Sequence, residues 1–182
     1  IEPWTIVERG GVRVGFIGMT TRSTPTSTRP INVVDLEFRS ISEALDHYIP
    51  EVREAGADFI VAVMHEGGFC SDDGGCDGEG LEALRATTEQ YDYAVTGHTH
   101  SLVETEIRGV PVVQSRSNST AFGLGRIDRD GDGNVSARLI GVRETYADVL
   151  PPDPALVDLI AGFQGEVAHL VDRVVTRLET GI

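Results

Sequence analysis

Apolar residues along this chain fall into two patterns, short unbroken runs and helical stripes, separated by glycine and polar clusters. Phe59-Ile60-Val61-Ala62-Val63-Met64 is an unbroken run that predicts a buried strand over 58–65. Tyr91-Asp92-Tyr93-Ala94-Val95-Thr96 predicts a second over 92–96. Residues 4–8 and 12–19, joined at Gly10-Gly11, read as a β-hairpin whose second strand is buried. Ile41, Ala44, Leu45, Tyr48, Ile49 and Val52 recur at helical spacing, so 41–55 reads as a helix, capped by Ser40 or Ser42 and stopped at Gly56. A further helix is expected near 79–90, after a glycine-rich loop over 67–78. Two more hairpins follow, 103–107 with 110–115 across Arg108-Gly109, and 121–127 with 135–142. From Asp153 a stripe of Leu156, Leu159, Ile160, Phe163, Val167, Leu170, Val171, Val174, Val175 and Leu178 predicts a helix running almost to Ile182. The order strand, helix, strand, helix, strand, then antiparallel strands argues for an α/β layered fold with a mixed sheet. The expected division is residues 1–150 as one α/β unit and 151–182 as a terminal helix.

Charge narrows the partners. With 182 residues and 40% hydrophobic content, the chain can bury one core and hardly two. Its formal net charge of −14 repels nucleic acid backbones and anionic membranes. A phosphorylated small molecule would be repelled too, unless bound cations reversed the local field. No apolar stretch approaches the length of a membrane span. The chain opens at Ile1 with no initiator methionine, so a processed or truncated start is expected. Cys70 and Cys76 flank a Gly/Asp loop. They suit two free thiols or a local disulfide, and the latter would imply an oxidising compartment. A zinc site is disfavoured because no second cysteine pair follows.

Histidine placement carries the candidate chemistry. Gly97-His98-Thr99-His100 follows one predicted strand and His65 ends another. Open α/β sheets bind ligands at such strand ends. Neutral imidazole is the commonest metal ligand among side chains. Read as extended backbone, His98 and His100 would share a face and clamp a cation. His47 and His169 lie inside helical patterns and read as surface or packing residues. Asp128-Arg129-Asp130-Gly131-Asp132-Gly133 matches the opening of an EF-hand loop, but its twelfth position is Leu139 and its flanks read as strands. A hairpin turn is the better reading.

Several ordered pieces together resemble the calcineurin-like metallophosphoesterases, in particular the 5′-nucleotidase family. They are residues 5–18, Gly56-Ala57-Asp58-Phe59-Ile60-Val61, Met64-His65-Glu66-Gly67-Gly68, Gly97-His98-Thr99-His100, Gly109-Val110-Pro111-Val112-Val113-Gln114 and Gly123-Leu124-Gly125-Arg126-Ile127. The resemblance spans about residues 4–177. It implies hydrolysis of phosphate esters such as nucleotides by two divalent metal ions, zinc, manganese or similar, that clamp the phosphoryl oxygens and activate a bridging water. By resemblance His65 and His98 would ligate one metal and His100 the other. Glu66 and Asp92 are candidates to orient those histidines. Gln114, Arg116 and Asn118 fall in a loop that the family places near the metal cleft, with Arg116 and Asn118 as candidate substrate contacts.

The departure matters equally. Members of the family begin with Asp-x-His, then a Gly-Asp segment supplying a bridging aspartate, then Gly-Asn-His-Glu. Neither Asp-x-His nor Gly-Asn-His-Glu occurs here, and no Gly-Asp precedes the matching pieces. The resemblance therefore implies an incomplete sandwich whose first half is absent, ending on a helix that leads towards an absent substrate-binding domain. Three imidazoles without the bridging carboxylate cannot neutralise two adjacent dications. The chain is expected to hold at most one ion weakly, on His98 and His100, to be nearly inactive alone, and to self-associate through its uncovered surface. A longer parent would be extracellular, periplasmic or cell-surface. Within the same fold, cyclic nucleotides, nucleotide sugars or a sulfur ester are the alternative substrates. A non-catalytic binding module is the alternative from a different class.

Overall fold

In a computed structural model, residues 2–146, 149 and 151–176 are described. The chain divides into two compact units, Ile1–Thr145 and Tyr146–Ile182. The first is built on a six-stranded mixed sheet with helices against one face, as the apolar pattern predicts. Strands β1 (Trp4–Arg9) and β2 (Val12–Thr20) form the first hairpin. Gly10 and Gly11 both take positive φ, 57° and 74°, the backbone of the tight turn that matches strand twist. Helix α1 (Thr24–Ser27) and a 3₁₀ turn (Pro30–Asn32) follow β2 in a segment rich in Ser, Thr and Pro. Helix α2 (Ile41–Glu54) starts where Ser40 accepts a hydrogen bond from the Glu43 N–H, the expected cap. Then come β3 (Phe59–His65), a two-residue pair β4 (Phe69–Cys70) and β5 (Cys76–Asp77), α3 (Glu79–Ala86) and β6 (Tyr93–Val95). Strands β7 (Leu102–Ile107) and β8 (Val110–Ser115) close the sheet, in the order β1-β2-β3-β6-β8-β7. The four central strands β2, β3, β6 and β8 run parallel, so their C-terminal ends share one edge.

Alternation along these strands sorts the core into two faces. On one face Ile17, Ile60, Ala62, Met64, Ala94 and Val112 pack against Ile41, Leu45, Ile49 and Val52 of α2 and Leu81 and Leu84 of α3. Each large side chain buried here contributes about 1.5–3 kcal/mol. On the other face Val12, Val14, Phe59, Val61, Tyr93 and Val113 meet Ile127, Val135, Ala137, Leu139 and Val142. Those partners belong to a separate hairpin, β9 (Ala121–Arg129) and β10 (Val135–Glu144), with a bulge between Leu139 and Gly141. The acidic motif forms its turn, where the Asp130 carboxylate accepts from the Asp132 and Asn134 N–H groups. This second face is only half covered. Val63 and Val95, further along the same strands towards the shared edge, are exposed.

The second unit contains helix α4 (Pro154–Val171), whose Asp153 cap accepts from the Ala155 and Leu156 N–H groups. Leu156, Leu159, Ile160 and Phe163 are exposed on it. It ends at Val171, short of the expected run, where Val174-Val175-Thr176 are all β-branched and helix-averse. Leu178 lies outside the described residues. No helix is long and apolar enough to cross a membrane among the described residues.

Candidate metal and phosphate site

Strand alternation decides where His65 points. Phe59, Val61, Val63 and His65 share the face opposite α2 and α3, so β3 delivers an exposed imidazole at the end of an apolar stripe. β6 ends at Val95, and the chain then bends through Thr96 and Gly97 to His98. The His98 Nδ1 lies 3.2 Å from the His65 Nε2, and the rings meet edge-on with centroids 5.0 Å apart. Two imidazole nitrogens each about 2.0–2.1 Å from one zinc ion at tetrahedral angles would be about 3.3–3.4 Å apart. The pair therefore fits the edge of a coordination polyhedron. The same spacing serves an N–H···N bond between the rings.

The extended-strand picture of His-x-His does not hold. His98 has φ 71° and His100 φ 57°, both left-handed, so the two side chains are not presented two apart on one strand face. The pair brought together is His65 with His98, not His98 with His100. His100 is exposed one residue before Ser101, and no group of three or more His, Cys, Asp or Glu able to hold a metal forms among the described residues. The histidines thus form a close pair and no larger cluster among the described residues.

Neighbouring groups sort clearly. Glu66 is 4% exposed; its Oε1 accepts from the Gly67 N–H and its backbone carbonyl accepts from the Gly97 N–H, tying the ends of β3 and β6 together. Asp92 is corrected away from the site. It precedes β6 while His98 follows it, and its carboxylate binds Arg53 at 2.5 Å and the Ile60 N–H at 2.7 Å. Arg116, Asn118 and Ser119 all have positive φ, on the loop after β8. The Arg116 N–H donates to the Ser101 carbonyl at 2.9 Å, which sets this loop beside the histidine tip. The Arg116 guanidinium pairs with Glu144 at 3.4 Å, and Asn118 contacts Ser117 at 3.5 Å. Of the six non-glycine residues with positive φ among the described residues, five lie on these two loops. Such conformations cost of order 1–3 kcal/mol each and gather where function constrains the backbone. Cys70 and Cys76 are joined in a disulfide that pins β4 to β5.

No known family profile matches the chain. The snake venom 5′-nucleotidase of Crotalus adamanteus is 28% identical over 155 residues, covering 74% of this chain and 24% of that protein. A Staphylococcus aureus protein assigned to the 5′-nucleotidases superposes with a TM-score of 0.76 at 25% identity, over 97% of this chain and 35% of that one. The chain is related to the 5′-nucleotidases. Its mixed α/β fold is one that the Staphylococcus aureus protein shares. The endonuclease YhcR of Bacillus subtilis is also similar, 24% identical over 71% of this chain and 11% of that protein. The chain thus spans only a tenth to about a third of the length of these relatives.

Proposed function

We propose that this chain carries one side of a two-metal phosphoesterase centre whose substrate is a nucleotide or a related small phosphate ester. The observation that supports it is the convergence of His65 and His98 at the shared C-terminal edge of the parallel strands. In this reading His65 and His98 hold one divalent ion, and His100 faces the second. When bound, the ions would neutralise phosphoryl charge and activate water. The missing share is carboxylate: no aspartate or glutamate joins the histidine pair into a larger cluster among the described residues. In this reading the bridging carboxylate comes from outside the described cluster, and the chain by itself is inactive or nearly so. Arg116 and Asn118 are the candidate phosphate and substrate contacts, since their loop is fastened beside Ser101. The charge of −14 favours a small ester over a polynucleotide backbone. The disulfide and the venom relative support an extracellular, periplasmic or cell-surface setting. The half-covered face with Val63 and Val95 would then be buried by self-association or by further chain.

Calorimetric titration with Co²⁺ tests the ligand assignment. One weakly bound ion per chain is expected, lost in His65→Ala and in His98→Ala; unchanged binding in both variants would refute it. AMP hydrolysis with Mn²⁺ tests the incompleteness. No turnover above a His98→Ala control is expected, and turnover abolished by that substitution would overturn the half-site reading.

A further inference from the structure

Gln114 is 1% exposed at the end of an apolar strand, a position where a polar side chain must have its hydrogen bonds met internally. Its Nε2 donates towards Thr99 Oγ1 at 2.8 Å, Ser101 Oγ at 2.6 Å and the Ser101 carbonyl at 3.0 Å. A carbonyl can only accept, which fixes the NH₂ group on this side. Both hydroxyls are then free to donate onward, and both do so to the Gly68 carbonyl. On its other side Gln114 Oε1 accepts from Thr96 Oγ1 at 3.3 Å. One amide therefore holds the residues on both sides of the His98–His100 tip and, through two hydroxyls, the loop that follows His65. The tip it grips contains two left-handed histidines, a conformation that local backbone preference opposes.

We propose that Gln114 is the positioning residue of this site, an amide clamp that keeps His98 in register with His65. The metal consequence rests on the function proposed above; the clamp itself does not. Gln114 touches neither imidazole in the hydrogen-bond network, so it acts through Thr99 and Ser101. Its removal should change where the histidines point more than whether the sheet folds.

The test compares wild type with Gln114→Met, which keeps length and loses every hydrogen bond, and with a Thr99→Ala/Ser101→Ala double variant, which leaves Gln114 in place but removes its hydroxyl partners. The first readout is amide hydrogen exchange in the metal-free chain. Exchange at Gly97 and Thr99 is expected to quicken at least tenfold in Gln114→Met, with Ile60 and Ala94 in the sheet unchanged. The second is Co²⁺ affinity and visible absorption, with affinity expected to fall roughly tenfold and the spectrum to change. Unchanged exchange at the tip overturns the proposal. So does faster exchange accompanied by wild-type affinity and spectrum, since Gln114 would then be only a packing residue. If Gln114→Met does not fold, the double variant decides by the same two readouts. A His98→Ala control that binds Co²⁺ as well as wild type removes the metal reading, and exchange alone then judges the clamp.

Discussion

Replacing Gly67 with alanine probes the tightest point of the candidate site. A Cβ at this position would run into the Gln114 Oε1 and the Gly97 carbonyl, and would lie 2.8 Å from Thr99 Oγ1. None of these atoms is the loose end of an exposed side chain. Gln114 is buried and held by its hydrogen bonds, the Gly97 carbonyl is backbone and accepts from the Thr99 N–H at 2.8 Å, and Thr99 is tied to the Gly68 carbonyl. Relief therefore requires the loop after His65 to move away from the histidine tip. Overpacking of this kind costs about 1–3 kcal/mol. Losing one or two of the clamp's hydrogen bonds adds about 1 kcal/mol each. We expect Gly67→Ala to destabilise the chain by roughly 2–4 kcal/mol in urea unfolding and to weaken Co²⁺ binding. Gly131, in the β9–β10 turn with open space around it, is the control and should tolerate alanine with little change. A Gly67→Ala chain with wild-type stability and Co²⁺ affinity would refute both the contact argument and the tight coupling of His65 to His98.

Asp46 on α2 accepts from Thr87 Oγ1 at 2.5 Å and from the Thr88 and Glu89 N–H groups at 2.7 and 3.2 Å, anchoring the segment that leads into β6. Burial pushes its carboxyl up, but these hydrogen bonds outweigh burial and hold it below its ordinary 3.8. A depressed carboxylate stabilises above its unfolded pKa and loses that contribution as pH falls through the folded value. Asp46→Ala should therefore cost about 1–3 kcal/mol near pH 7, with the gap to wild type narrowing as pH falls below the ordinary carboxylate value; a gap that widens on acidification would contradict the assignment. The Tyr93 hydroxyl is buried against Gly125 with no hydrogen-bond partner among the described residues, and burial raises its pKa. Tyr93→Phe should be neutral or stabilising by up to about 1 kcal/mol in thermal or urea unfolding, whereas a loss of more than that would show that the hydroxyl is satisfied in solution.

Local pattern determined much of this protein. Unbroken apolar runs marked β3 and β6, the 41/45/49/52 stripe marked α2, and glycine pairs or Arg108-Gly109 marked the hairpin turns, because side-chain period and turn backbone are properties of adjacent residues. The two-residue strands β4 and β5 had no apolar period to betray them, so a glycine-rich loop was all that could be read there. Tertiary structure decided the rest, for three physical reasons. Left-handed backbone at His98 and His100 broke the strand geometry that a His-x-His spacing suggests, and nothing in two histidines and a threonine forecasts positive φ. Asp92 sits near His98 in sequence yet at the opposite end of β6, since a strand separates its ends by about 3.3 Å per residue. Gln114 reads as one polar residue closing an apolar strand; only folding brings Thr96, Thr99, Ser101 and Gly68 within its reach, and hydrogen bonds across such separations leave no trace in local pattern.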